Sequence, residues 1–241
     1  MMKRRQFLGA ACVAGTQALT FASSVPLAAA ADGRSDGKRI LPDALGNMPL
    51  ESLRNDYRRR LFDQYLPFWE KGGYDAQHGG FRCELNDDGS VAGDEKTIWY
   101  QGRGLWVYSF LCNHFGKNAR WLEMAAKTRD FMVERMYAGS GKWTEKVRSD
   151  GTVLSPVAPY VYGWLFAAGG LAQHHAATSD PRDLKLAKES IDAAAKAYDD
   201  PSYADTYGAQ YAAVPIPDKG FRTQGHSMVF VWALSQLLDV D

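Results

Sequence analysis

Two stretches of the chain, displaced by 62 positions, carry one short pattern: Gly80-Phe81 leads in eight residues to Asp88-Gly89-Ser90-Val91, and Lys142-Trp143 leads in eight to Asp150-Gly151-Thr152-Val153. An Asp-Gly turn between strand-like flanks is a hairpin signal, and the long segments between the hairpins read as helices. The repeating unit is therefore hairpin, helix, helix. A third, degenerate copy is expected from about Tyr207, with its turn at Pro217-Asp218-Lys219-Gly220. Units of this size cannot bury their apolar faces alone and must stack on neighbours, and helical hairpins set in a ring make an α/α toroid. A ring of six would need roughly 370 residues. The sequence supplies about three units, so the expected class is all-α, a partial (α/α)6 toroid with short β-hairpin insertions. Either the chain is the N-terminal part of a longer protein, or it closes by pairing with another copy as a homodimer. The apolar run from Leu234 to Val240, which stops without a capping signal, favours truncation.

Three segments follow from the pattern: 1–31, 32–48 and 49–241. Lys3-Arg4-Arg5-Gln6-Phe7-Leu8, an Ala/Gly-rich apolar run and the small residues Ala28 to Ala31 read as a twin-arginine signal peptide. The expectation is export to the periplasm or medium, with no membrane anchor after cleavage; the run is too weakly apolar to span. Residues 32–48 carry turn formers without periodicity and read as a linker. From Leu50 the spacing of Leu53, Tyr57, Leu61, Tyr65 and Phe68 predicts a helix ending at Gly72-Gly73, followed by helices near 97–115, 118–137, 159–178, 182–198 and 223–238.

Charge and cysteine content narrow the function classes. The 28 Lys and Arg balance 28 Asp and Glu, and without the leader's three basic residues the balance is 25 to 28. Nothing concentrates the basic face a nucleic-acid partner would need. The mature chain keeps Cys83 and Cys112, which could pair in an oxidising compartment but read as buried free thiols. No phosphate loop or metal-ligand spacing is present, and the expectation is no cofactor and no metal.

The chemistry concentrates in Ile98-Trp99-Tyr100-Gln101-Gly102-Arg103-Gly104-Leu105-Trp106-Val107-Tyr108-Ser109-Phe110. On a helix Trp99, Arg103, Trp106 and Phe110 share one face, which sets a guanidinium inside an aromatic stripe. A charge there calls for a partner or a ligand. Glu84 or Glu145 would be the partner in a purely structural reading. Gly102 and Gly104 each cost about 1 kcal/mol in a helix interior, which points to close backbone approach around the arginine.

This string, with Gly79-Gly80-Phe81, Asp88-Gly89-Ser90, Tyr160-Val161-Tyr162-Gly163 and Arg222-Thr223-Gln224-Gly225-His226-Ser227-Met228, resembles the N-terminal half of the N-acylglucosamine 2-epimerase family, cellobiose 2-epimerases and sugar isomerases included. The resemblance covers roughly residues 50 to 241. It implies an (α/α)6 barrel acting at C2 of a ring-opened reducing sugar through an enediolate. Arg103 matches the family's arginine and is assigned the carbonyl or enediolate oxygen; being planar and permanently charged, it suits that role better than lysine. The family's acid/base histidines lie on later helices, beyond Asp241. His226, at the start of the last helix, falls where family members contact substrate, and a helix N-terminus would favour its neutral form; a capping or exposed histidine is the alternative.

Trp99, Tyr100, Trp143, Tyr162 and Trp164 are candidates for stacking on sugar faces, with about two of the five expected to touch ligand. The resemblance places Tyr162 on the inner helix layer. His174-His175 ends a helix, where positive charge suits the dipole, and His78 and His114 show no partner spacing. Two other readings remain: a glycoside hydrolase using carboxylates from Glu84, Asp94, Glu95 and Glu145, or a carbohydrate-binding half-barrel without catalysis.

Overall fold

The computed structural model describes residues 43–155, 157–204 and 219–241. The leader (1–31), most of the linker and most of the third hairpin lie outside the described residues. Where the linker was expected to run without structure as far as residue 48, β1 (Ala44–Leu45) pairs antiparallel with β2 (Met48–Pro49) around Gly46, whose φ is +59°.

The first helical stretch is interrupted. α1 (Leu50–Arg60) passes through a π-helical turn (Leu61–Tyr65) into α2 (Leu66–Phe68), and a second π turn (Trp69–Gly73) ends it. Pro67 bears on the first turn: it has no N–H to give the Asp63 carbonyl, so the ladder widens before it, while the second turn ends as the proline-free π turn Met132–Met136 does. Periodicity alone reads straight through such a defect.

The 62-residue displacement is reproduced bond by bond. In the first hairpin Asn86 N–H donates to Ser90 O at 2.9 Å, Gly89 N–H to Asn86 O at 2.8 Å and Ser90 N–H to Asp88 Oδ1 at 2.9 Å. In the second, Arg148 N–H donates to Thr152 O at 2.8 Å, Gly151 N–H to Arg148 O at 2.9 Å and Thr152 N–H to Asp150 Oδ1 at 2.8 Å. Gly89 and Gly151 take φ of +80° and +93°, the left-handed conformation the turn demands. Each hairpin is held by the helix that follows it. Gln101 on α3 (Ile98–His114) accepts from Phe81 N–H and donates to Phe81 O, both at 2.7 Å, and Trp164 on α5 (Val161–Thr178) donates to Trp143 O at 3.0 Å.

The helices form two layers. α3 packs on α5, and α5 on α7 (Gln224–Leu238); α4 (Ala119–Phe131) backs α3, and α6 (Pro181–Asp199) backs α5. Among the described residues α3, α5 and α7 thus make an inner layer backed by α4 and α6, and the first helical stretch meets α4 through Phe62 on Trp121 at 5.9 Å, an arc consistent with part of a toroid. α3 and α5 approach closely because both carry glycine at the crossing. A Cβ on Gly102 would strike the Phe166 carbonyl, and one on Gly170 would lie 2.5 Å from the Gly102 carbonyl oxygen. Gly104 makes room for the Phe81 ring, so both glycines flanking Arg103 answer a close approach, one by backbone and one by an aromatic side chain.

The two hairpins are tied to each other. β3 (Glu95–Thr97) pairs antiparallel with β4 (Lys146–Arg148), and the middle residue of β3, Lys96, is fully buried. Its ammonium donates to Asp75 Oδ2 at 2.9 Å, Gly79 O at 2.7 Å and Ser149 O at 3.1 Å, and sits 4.0 Å from the centroid of the Phe131 ring. Asp75, also fully buried, takes Arg82 at 3.0 Å on its other oxygen. Burial pushes the Asp75 carboxyl up, but the Lys96 hydrogen bond and charge, the His78 N–H and Arg82 outweigh it and hold it below the usual carboxylate value.

Several sequence expectations are corrected here. Trp143 is a core residue: it has no exposed surface, its indole donates to Ser190 Oγ at 2.9 Å, and its ring packs on Tyr137 at 4.9 Å. Trp164 is likewise 2% exposed, and neither offers a face to a sugar. His175 lies in the last turn of α5 as expected, but His174 is buried with Nδ1 2.6 Å from Asp183 Oδ2, and Asp183 also accepts from Arg129 Nε at 2.7 Å. Both cysteines are free, Cys112 buried and Cys83 half-buried.

Candidate active site

α3 presents its residues by angle. Gly102, Leu105 and Asn113 face α5; Gln101 and Tyr108 face the hairpin and outer layer; Trp99, Arg103, Trp106 and Phe110 fall on the inner face of the arc. That stripe continues across the neighbouring helices. Trp99 meets Phe166 of α5 at 5.8 Å, Phe166 meets Trp232 of α7 at 5.0 Å, and Trp106 stacks on Phe110 at 4.7 Å. Polar cross-links fix the wall: Trp106 Nε1 donates to Gln236 Oε1 at 2.6 Å, Gln173 Nε2 donates to the same oxygen at 2.9 Å, and Asn113 Nδ2 donates to Gln173 Oε1 at 3.1 Å.

Arg103 stands at the end of this wall. Its guanidinium carbon lies 5.5 Å from the Trp99 ring centroid and 5.7 Å from that of Phe166, and the side chain is exposed. Among the described residues no carboxylate pairs with it. Glu84 and Glu145, the partners of the structural reading, make no ion pair with it, and Asp94 and Glu95 are bound to Arg148 and Lys146 at 3.0 Å each. Arg103 also lines a cavity of about 230 Å³ with Leu66, Trp69, Phe81, Tyr100, Val107 and Tyr108. Burial and the adjacent Glu70 hold the Tyr108 phenol above its ordinary pKa, so it is a proton donor and not a base. Among the described residues its lining contains no carboxylate, whereas a glycoside hydrolase needs two. A larger recess of about 690 Å³, walled by α6 and residues 157–159, is remote from Arg103 and shares only the core Trp164 with the residues singled out in the sequence.

The other predicted site residues separate into two groups. Tyr100 joins Arg103 in the cavity, and Trp99 lies on the inner wall. Tyr162 is half-buried at the N-terminus of α7, its hydroxyl 2.8 Å from Thr223 Oγ1 and its ring 4.3 Å from that of His226. His226 is fully buried, with Nε2 3.0 Å from the Tyr203 hydroxyl and Nδ1 3.1 Å from Thr223 Oγ1. Both ring nitrogens are engaged by protein, so the imidazole is neither exposed nor aimed at the cavity; it pins the α7 N-terminus to the outer layer. His226→Ala is expected to lower stability by about 2–3 kcal/mol, since it empties a packed site and removes two hydrogen bonds. Its effect on sugar affinity should stay within about twofold, and thermal unfolding set beside calorimetry checks both. Leu66, Trp69, Val107 and Tyr108 were not singled out in the sequence, because they read there as ordinary core spacing.

The sequence model of the N-acylglucosamine 2-epimerase family matches residues 79–233, which take in both hairpins, α3 and the first ten of α7's fifteen residues. The chain belongs to the N-acylglucosamine 2-epimerase family. This epimerase-family chain is 26% identical to the cellobiose 2-epimerase of Bacteroides fragilis over 147 residues, 57% of this chain and 35% of that one. It is 34% identical to human N-acylglucosamine 2-epimerase over 73 residues, 30% of this chain and 17% of that one. Among solved structures, cellobiose 2-epimerase from Spirochaeta thermophila superposes with a TM-score of 0.65 at 27% identity, covering 79% of this chain and 49% of that one. A D-mannose isomerase structure, at 17% identity and a TM-score of 0.56, shares the fold. The epimerase-family chain thus spans about half the length of that cellobiose 2-epimerase structure.

Proposed function

We propose that this chain forms the sugar-orienting half of a carbohydrate 2-epimerase or isomerase site, in which Arg103 meets the carbonyl oxygen of a ring-opened reducing sugar. The observation that carries the reading is the state of Arg103: a guanidinium held between Trp99 and Phe166, facing a cavity and paired with no carboxylate among the described residues. Removing the proton at C2 leaves an enediolate whose oxygen gains negative charge, and a fixed cation beside apolar walls stabilises that charge far better than water does. Trp99 and Tyr100 would pack on the C–H faces of the sugar.

The acid/base groups are a separate matter. His174 and His226 are buried and bonded, His175 Nδ1 lies 2.8 Å from Asp180 O, and His78 lies beside Asp75. His114 shares the Arg103 side of α3 but stands eleven residues along, roughly 16 Å away. No described imidazole reaches the cavity. That placement favours a second reading, sugar binding without turnover, for the described half taken alone. Loss of the C2 proton signal by NMR, with the full chain and a free aldose in D2O, separates the readings. Exchange supports the epimerase or isomerase reading, and binding without exchange supports the second reading, sugar binding without turnover. Release of new reducing ends from an oligosaccharide would overturn both.

A further inference from the structure

An indole N–H can only donate, so Trp106 decides which way the amide of Gln236 faces. Gln236 Oε1 takes the Trp106 N–H at 2.6 Å and an N–H of Gln173 at 2.9 Å, and Gln173 Oε1 takes Asn113 Nδ2 at 3.1 Å. Turning the Gln236 amide over would set its N–H groups against two donors. The direction of the row is therefore fixed, and what is left over is the Gln236 NH2 group. That nitrogen meets no hydrogen-bond partner among the described residues, and it is not shut away from solvent. Leu234 and Leu238, two residues to either side, lie on the opposite side of α7, whereas Trp232, four residues back, shares the side of Gln236. Trp232 meets Trp106 at 6.1 Å and Phe166 at 5.0 Å. The open donors thus face the concave wall shared by α3, α5 and α7, turned away from the free edge of α7.

We propose, on the Arg103 assignment above, that Gln236 is a substrate-binding residue whose amide N–H donates to a hydroxyl oxygen at the end of the sugar remote from its carbonyl. Trp106, which fixes Gln236, stands three residues beyond Arg103 on the same face of α3, a rise of about 4.5 Å. A ring-opened hexose with its carbonyl oxygen at the guanidinium has the length to bring its last hydroxyl to the amide; a four-carbon sugar stops short. The surroundings suit that contact. Indole rings of Trp106 and Trp232 cover C–H surface, and a single well-placed polar group among them fixes orientation. The donor is uncharged, as is the hydroxyl it meets, so no counter-charge has to be supplied when water leaves. Arg103 then reads the reacting end of the substrate and Gln236 reads its chain length.

The test is calorimetry on the full chain with three enediolate mimics: a six-carbon aldonohydroxamate, its 6-deoxy-6-fluoro analogue and a four-carbon aldonohydroxamate. Fluorine accepts weakly and cannot donate, so the wild type should hold the fluoro analogue within about threefold of the parent. Gln236→Glu keeps the acceptor that Trp106 and Gln173 need, but it has no N–H and turns a carboxylate lone pair toward the ligand. It should still take the parent hydroxyl as a donor and reject the fluoro analogue by about tenfold or more. The four-carbon mimic should bind the wild type and Gln236→Glu alike. The same fluoro-to-parent ratio in both proteins would overturn the proposal, as it would if the amide were capped by another part of the chain. So would loss of the four-carbon mimic together with the others in Gln236→Glu, which would mean that Gln236 only holds Trp106 in place. Arg103→Ala, which should weaken the four- and six-carbon mimics equally, reports separately on the Arg103 assignment, and no binding of any mimic by the wild type would overturn both.

Discussion

Asp75→Ala is expected to destabilise the protein by about 3–5 kcal/mol, because it leaves the Lys96 ammonium buried without its counter-charge. The magnitude follows from the surroundings. Both side chains have no exposed surface, so water cannot replace the lost carboxylate, and the carbonyls of Gly79 and Ser149 supply dipoles but no charge. The damage should spread, since Lys96 is the middle residue of the strand that ties the first hairpin to the second and its ammonium reaches Ser149 of the second turn. Lys96→Met with Asp75→Leu should cost less than Asp75→Ala alone, because the fully buried ammonium is gone and only Arg82 still loses its carboxylate partner. Denaturant unfolding of the two variants measures the difference. The same group gives a pH signature. Asp75 has its folded pKa depressed, so its contribution is present above the unfolded value of about 3.9 and is lost as pH falls through the folded value, below about pH 4. Asp75→Asn should flatten that part of the acid limb.

Arg103→Ala is expected to weaken the hold on an enediolate-like ligand by about 10²–10³, the usual loss when one preorganised donor to an oxyanion is removed. Folding should be nearly untouched, since the side chain is exposed and forms no ion pair among the described residues. Arg103→Lys should recover only part of the loss. A lysine restores the charge but not the planar fork that lies across Trp99 and Phe166 at 5.5 and 5.7 Å.

How far the sequence discloses this architecture depends on which physics is local. The hairpins were readable because Asp-Gly turns carry their own geometry, and the 62-residue displacement survives down to matching hydrogen bonds. The helices were readable from apolar spacing, and α5 and α6 begin and end within two residues of their expected bounds. Gly102 and Gly104 announced close approach because glycine is costly in a helix. The π turns escaped, since widening the ladder by one residue leaves the apolar pattern unchanged. Burial was the least legible property. Trp143 and Trp99 are the same residue type in aromatic company, yet Ser190 and Trp164, 47 and 21 positions away, seal the first into the core. His226 was misjudged for the same reason: Tyr203 and Thr223 take up its nitrogens, and nothing in the local sequence reveals that Tyr203 folds back onto it.

The most direct test of the Arg103 assignment compares two ligands by calorimetry on the full chain: an aldonohydroxamate, whose planar oxygens mimic the enediolate, and the alditol of the same length, which lacks them. The account predicts that the hydroxamate binds at least tenfold more tightly and that Arg103→Ala abolishes the preference while leaving the alditol within about threefold. Equal affinities in the wild type, or a preference that survives Arg103→Ala, would contradict it.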